Sequence, residues 1–193
     1  MREPLGVILA GGRGTRMGEV IKAEVMLGTA SLLDRVAARL EPQVAGLVVN
    51  CNAPLETRYP VIADTMDGRL GPLAGVLAGL DRASAQGATH IVTVAVDTPF
   101  FPCDLVPHLM LAGEAHPHRF AIAATADGAH PTFGLWPVAL RDGMTAFLAG
   151  GQRKVTDFTD GENAALAMFP ETRPHSFFNI NTTADLIEAA AWL

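Results

Sequence analysis

Cysteine is scarce in this chain. Only Cys51 and Cys103 occur in 193 residues, far apart and outside any C-x-x-C pair, which argues against a zinc site or a disulfide framework and for a reducing compartment. Basic residues are also in short supply: 14 Lys and Arg against 20 Asp and Glu leave a formal net charge of −6. A general nucleic-acid binder needs a basic face to neutralise many phosphates, so that class drops out and any phosphate chemistry must be local. No apolar run approaches the roughly 18 to 20 residues of a membrane span. The opening "MREPLGVILAGG" runs into glycines too soon to be a signal peptide. The expectation is a cytoplasmic, soluble monomer with no nucleic-acid or membrane partner.

What the sequence does hold is core-forming material. Hydrophobic residues make up 49% and charged residues 18%, enough for one domain over residues 1–193 and too apolar for a disordered chain. Leu5 to Ala10 is an apolar run ending in glycines, which predicts a parallel strand covered on both faces. "SLLDRVAARL" from Ser31 places Leu32, Leu33, Val36 and Leu40 at helical spacing, with Ser31 as a cap. Strands "AGLVVNC" and "YPVIAD", helix "GPLAGVLAGLDRAS" and the long strand "HIVTVAVDTPF" follow. Then come helix "CDLVPHLMLAGEA", strands "RFAIAATA" and "PTFGLWP", and helices "ALRDGMTAFLAGG" and "ADLIEAAAWL". This alternation predicts an α/β fold, a doubly wound and mostly parallel sheet flanked by helices, without internal repeats or linkers. Ligands of such sheets sit outside the carboxyl ends of the strands, so Gly11, Asn50, Asp64 and Asp97 should gather along one edge.

The segment "GVILAGGRGTRMGEVIK" carries the chemistry. Gly11, Gly12 and Gly14 let the backbone N–H groups approach an anion, and Arg13, Arg16 and Lys22 supply positive charge to phosphate oxygens. A tight turn before a helix would use the same glycines. The dinucleotide pattern G-x-G-x-x-G fails at Met17, and the P-loop pattern fails because Gly18 is followed by Glu19. Asp97 closes an apolar strand in "AVDTPF", where it is either the cap of a turn or a metal ligand. Asn50 after "LVV" and Asp64 after "VIA" are either turn residues or contacts to a base or ribose. Asn179 and Asn181 in "NINT" are either a substrate-side cluster or the cap of the last helix. His130 reads as a positioning residue and His90 as structural.

The loop Leu9, Ala10, Gly11, Gly12, Arg16, Met17 and Gly18 resembles L-A-G-G-x-x-x-R-M-G, the signature of nucleotidyltransferases that activate sugars or cofactors with a nucleoside triphosphate. With "VVNCN", "VIADTMDGRLGPLAGVLAGL", "VDTPFFPCDL", "HPTFGLWP" and "NINTTADL" in order and at matching spacing, the resemblance spans most of the chain. It is closest to the bacterial molybdenum cofactor guanylyltransferases. That resemblance implies a Rossmann-like nucleotide-diphospho-sugar transferase fold, and transfer of GMP from GTP to molybdenum-bearing molybdopterin, giving molybdopterin guanine dinucleotide and pyrophosphate. It implies Mg²⁺ on Asp97, and GTP held by Leu9, Ala10, Gly11, Gly12, Lys22, Asn50, Asp64, Gly75 and Asp97. Asn179 and Asn181 fall on the substrate side, and Arg16, Lys22 and Asp97 form the catalytic set. Proteins that hand over molybdopterin or accept the finished cofactor are implied partners.

The chain departs from that pattern in two places. Ile21 stands where the family has an aspartate before the lysine, and Thr29 and Ser31 stand where it has glycine and proline. A non-catalytic GTP-responsive module and a cytidylyl or sugar-phosphate nucleotidyltransferase therefore stay open beside the guanylyltransferase.

Overall fold

The apolar run Leu5–Leu9 forms the central strand β1 of the computed structural model, which describes residues 3–11, 13–14, 20–68, 70–172 and 175–193. Beyond it, β2 (Arg13–Gly14) and β3 (Val20–Ile21) pair antiparallel as a small ribbon. A second ribbon, β4 (Met26–Leu27) with β5 (Ala30–Ser31), turns through Gly28 and Thr29. Gly28 has φ +65°, the left-handed backbone that the first position of such a two-residue turn favours.

Helix α1 (Leu32–Leu40) leads to β6 (Gly46–Asn50) and the short β7 (Val61–Ile62). Helix α2 (Pro72–Ala85) crosses back to β8 (His90–Ala95), and α3 (Leu105–Gly113) follows. The chain finishes with β9 (Ala121–Thr125), β10 (Gly128–Pro137), α4 (Arg141–Ala149), α5 (Val155–Gly161), β11 (Ala165–Met168) and α6 (Thr183–Ala190).

Among the described residues the main sheet runs β11-β9-β10-β8-β1-β6-β7. β1 pairs parallel with β6 and β8, β7 with β6, and β11 with β9, while β10 is antiparallel to both of its neighbours. The expected mostly parallel sheet is what forms, and the carboxyl ends of all its strands but β10 share one edge.

Period-two alternation divides the core between the two faces. Ile8, Val49, Val92 and Val94 pack with Leu32, Val36 and Leu40 of α1 and with Leu105 and Leu109 of α3. Val7, Val48 and Ile91 pack with Leu73, Leu77 and Leu80 of α2, Met144 of α4 and Phe158 of α5. Helix α2 lies close because Gly79 faces Val7 and Ile91, whose carbons would come within 2.9 Å of an added Cβ. Buried Trp136 donates from Nε1 to Thr93 Oγ1 at 2.8 Å, and that hydroxyl donates to the Thr132 carbonyl at 2.8 Å. The antiparallel strand is thereby tied to β8 with no buried polar atom left over at that point.

Some boundaries differ from the sequence reading. β8 stops at Ala95, not Phe100, because the chain turns at Val96 and Asp97 to carry the latter to the sheet edge. β10 starts at Gly128 and is irregular between His130 and Gly134, where Pro131 has no N–H to give to a ladder. Helix α5 and strand β11 were not anticipated. β11 is a four-residue edge strand with Leu166 and Met168 exposed, so it lacks the apolar and polar alternation that marks a half-buried strand.

Candidate active site

The parallel strands deliver their last residues to one edge. Ala10 N–H donates to the Asn50 carbonyl at 2.9 Å and Val96 N–H to the Leu9 carbonyl at 3.1 Å, so β1 is gripped by both neighbours where it ends. Ala10 is buried, Leu9 partly buried and Gly11 exposed. The two ribbon strands β2 and β3 bring the chain back to the edge, so that Lys22 enters the site. Gly12, Arg16, Met17 and Gly18 of the signature lie outside the described residues.

Lys22 is the centre of the polar cluster. Its Nζ donates to Asp97 Oδ2 at 2.7 Å and to Asn181 Oδ1 at 2.6 Å, joining residues 75 and 159 positions away. The side chains of Lys22 and Asp97 are 11% and 22% exposed, shielded enough from water for the charges to interact strongly. Thr98 Oγ1 lies against both Asp97 Oδ1, at 3.2 Å, and Asn179 Oδ1. One hydroxyl has one proton. Both contacts are satisfied when the Asn179 amide is turned so that its NH₂ donates to Thr98 and Thr98 donates to Asp97.

The carboxyl-terminal segment is fastened here by its own backbone. Ile180 N–H donates to the Asp97 carbonyl at 2.8 Å. Helix α6 is capped by Thr182, whose hydroxyl accepts the Asp185 N–H at 3.2 Å. Asp185 Oδ2 accepts the N–H groups of Asn181 and Thr182, each at 2.8 Å. These bonds, that from Asn181 foremost, hold the Asp185 carboxyl below its usual range against the opposing effect of burial. The cap is therefore Thr182, and the Asn181 side chain is left to face Lys22.

A second group stands at the ends of β6 and β7. Asn50, 3% exposed, donates from Nδ2 to the Ile62 carbonyl at 3.3 Å and to Asp64 Oδ1 at 2.9 Å. Its Oδ1 lies against Gly75, and an added Cβ there would overlap it and come within 2.9 Å of Leu9 Cδ2. Gly75 is thus the glycine that space demands; Gly11 would keep 3.6 Å to the same oxygen. Helix α2 begins beside this group with Pro72 as its first residue after Gly71, at φ +74°. Its free N–H groups and dipole favour negative charge nearby.

Sequence reasoning missed Asn52, Thr98 and Asp185. Asn52 and Thr98 each stand one or two positions from a residue that was found, and period two in extended chain was the available signal for Asn52.

Along the same edge a cavity of about 300 Å³ is lined by Thr125, Asp127, His130, Glu171, Ser176 and Phe177 among others. The His130 ring stacks on Phe177, centroids 4.2 Å apart, and its Nε2 meets Thr125 Oγ1 at 3.0 Å. Burial holds this imidazole below its ordinary pKa, against the pull of Asp127. His90 lies elsewhere, between Thr89 Oγ1 and the His118 carbonyl, a structural place as expected.

Residues 6–165 match the MobA-like NTP transferase domain. A molybdenum cofactor guanylyltransferase of Rhizobium johnstonii is 46% identical over 97% of this chain and 92% of its own length. The chain belongs to this family. Another molybdenum cofactor guanylyltransferase, from Cereibacter sphaeroides, is 44% identical over 97% of this chain and 96% of its own. The crystal structure of molybdopterin-guanine dinucleotide biosynthesis protein A from Archaeoglobus fulgidus superposes with a TM-score of 0.73 at 25% identity, covering 97% of each chain. The 2-C-methyl-D-erythritol 4-phosphate cytidylyltransferase of Thermus thermophilus, TM-score 0.69 at 19% identity over 99% of this chain and 98% of its own, shares the fold alone. As a member of the molybdenum cofactor guanylyltransferases, the chain is a nucleotidyltransferase. No helix among the described residues is long and apolar enough to cross a membrane.

Two of the residues that depart from the family pattern have local explanations. Ile21 packs against the core. Ser31 caps α1 by accepting the Asp34 N–H at 3.1 Å, and Asp34 Oδ2 faces the Ser31 N–H in return.

Proposed function

We propose that the protein transfers GMP from GTP to the terminal phosphate of molybdenum-bearing molybdopterin, forming molybdopterin guanine dinucleotide and pyrophosphate. The observation that carries this reading is the bridge from Lys22 to Asp97 and Asn181. It puts one cation between the strand ends that suit a nucleotide and the carboxyl-terminal amides that suit an acceptor. The names of the family relatives, in which guanylyl transfer and the molybdenum cofactor both appear, support the same substrates.

A phosphate monoester is already anionic near neutral pH, so no side chain has to remove a proton from it. An acceptor oxygen bonds to the α-phosphorus, the bond from that phosphorus to the β-bridging oxygen breaks, and pyrophosphate leaves with the electron pair. The protein's work is alignment and charge neutralisation. Lys22 neutralises phosphate oxygens, and Arg16 is assigned to the same task from the loop pattern. The backbone of Leu9, Ala10 and Gly11 forms the floor, to which Gly12 is assigned from the loop pattern, with Asn50 and Asp64 reading the base beside Gly75. Asn179 and Asn181 hold the acceptor, whose remaining part extends toward the cavity at His130 and Phe177. Phe178 also lines that cavity, and from it to Asn181 the chain spans at most about 11 Å, a reach a small-molecule acceptor can cover.

Magnesium fits this donor set on one condition. Among the described residues no group of three His, Cys, Asp or Glu could hold a metal alone. Mg²⁺ commonly takes one or two carboxylates and fills its octahedron with substrate phosphates and water. Asp97 offers one carboxylate, and its bonds to Lys22 and Thr98 use only part of its acceptor capacity. Asp97 would hold the ion once nucleotide phosphates are present, and the ion when bound would offset negative charge on them. The reading takes the protein as a cytoplasmic monomer, served by proteins that deliver molybdopterin or accept the product.

The test is to incubate pure protein with Mg·GTP and molybdopterin, measure pyrophosphate, and compete the reaction with CTP, ATP and UTP. Pyrophosphate formed with GTP and weak competition by the others is expected. GTP binding without pyrophosphate release would overturn the transfer reading, and preference for CTP would overturn the base.

A further inference from the structure

Asp64 is held from two sides. Asn50 Nδ2 donates to its Oδ1 at 2.9 Å, and Asn52 Nδ2 donates to its Oδ2 at 2.7 Å. Asn52 Oδ1 accepts the backbone N–H of Asp64 at 2.8 Å, so residues 52 and 64 are joined by two bonds of opposite sense that close a ring. A carboxylate bonded separately on each oxygen cannot turn about its last torsion without losing a bond. The Asn50 side of this clamp is rigid, because the amide is buried and wedged against Gly75. The Asn52 side is exposed.

Each oxygen of Asp64 keeps acceptor capacity after these bonds. A carboxylate fixed in this way receives two parallel donors, the geometry of bidentate recognition. Among the bases of the four nucleoside triphosphates, guanine presents that pair on one edge, as N1–H and N2–H₂. Adenine and cytosine place an acceptor ring nitrogen there, and uracil offers one N–H between two carbonyls.

We propose that Asn52 is a positioning residue for base selection: by clamping Asp64 it sets the carboxylate in the orientation that takes both donors of guanine. The proposal rests on the reading of Asp64 as a nucleotide contact. A free Asp64 would still carry its charge but would present its oxygens in many orientations, and the two-donor match would be lost.

Inosine triphosphate is the discriminating probe, because it keeps N1–H and O6 and lacks the 2-amino group. The wild-type protein is expected to favour GTP over ITP by about 10- to 100-fold in kcat/KM, the size of one hydrogen bond to a charged group. In Asn52→Ala the ratio should fall to within about 3-fold, with the loss of GTP turnover falling on KM more than on kcat. Asn52→Leu, which keeps the branched shape, cannot donate to Asp64 and adds no charge beside it, should behave the same way and serves if the alanine variant folds poorly. An unchanged GTP to ITP ratio in both variants, an equal fall in kcat for both nucleotides, or a wild type blind to the 2-amino group would each overturn the proposal. If the wild type releases no pyrophosphate from GTP, the transfer reading fails by itself. Calorimetric binding of GDP against IDP to the same three proteins then still decides the role of Asn52.

Discussion

Gly75 and Asn50 are fitted to one another: a Cβ on Gly75 would overlap the carboxamide oxygen of Asn50 and press on Leu9 Cδ2 at 2.9 Å. The contact is backbone of a helix start against a buried amide at a strand end, so neither partner has room to retreat. Gly75→Ala is expected to destabilise the protein by about 1 to 3 kcal/mol, the usual cost of overpacking. It should also raise KM for GTP, because Asn50 must move. Thermal melting and initial-rate kinetics on the same preparation check both effects. A variant with wild-type KM would separate Gly75 from the nucleotide.

Asp97→Ala removes the carboxylate partner of Lys22 and Thr98. The fold should survive, with a stability loss of about 1 to 3 kcal/mol from the amine left with Asn181 as its remaining partner. Pyrophosphate formation should drop by about 10²- to 10³-fold in kcat. Turnover near the wild-type rate in a single-cycle assay would take Asp97 out of the mechanism.

Asp185 Oδ2 holds the backbone N–H groups of Asn181 and Thr182, and on the proposed reading Asn181 serves the acceptor. Asp185→Ala is expected to raise KM for molybdopterin with little change in KM for GTP, since the strand ends proposed to hold the nucleotide are untouched. The lowered pKa of this carboxyl adds a pH signature. Its contribution is present above the carboxylate's unfolded value and is lost as pH falls through the lower folded value. Acid titration of the melting temperature should therefore show a shallower acid limb in the variant than in the wild type.

His130 and His90 are both held below the ordinary histidine pKa by burial. Below about pH 6.5 the unfolded chain takes up protons that the folded ring does not. Stability should therefore decline as pH falls from about 6.5 toward the lower folded values and level off beneath them. His130→Asn keeps a polar group near Thr125 and should remove part of that decline. Melting temperatures from pH 7.5 to 5 in both proteins would show it, and parallel curves would refute it.

Much of this was legible in the chain because it is local. The strand at Leu5–Leu9 announces itself by a continuous apolar run, and α1 by its spacing and the Ser31 cap. Asn50 and Asp97 were found because polar residues that follow apolar runs must lie at strand ends. Helix α5 and β11 were not legible, since a seven-residue helix and a four-residue edge strand are too short to establish a period. The choice between cap and site for Asn181 was equally closed to sequence, because "NINTTAD" contains several side chains able to cap.

By itself the sequence determined the strand and helix alternation, the edge at which polar residues would collect, and the family, through residue types at fixed short spacings. Tertiary structure alone decided that Lys22 bridges Asp97 to Asn181, that Thr182 and not an asparagine caps the last helix, and that Asn52 grips Asp64. The physical reason is range. Periodicity and capping act within a few residues, whereas these bonds depend on the order of strands in the sheet and on how closely α2 packs upon it.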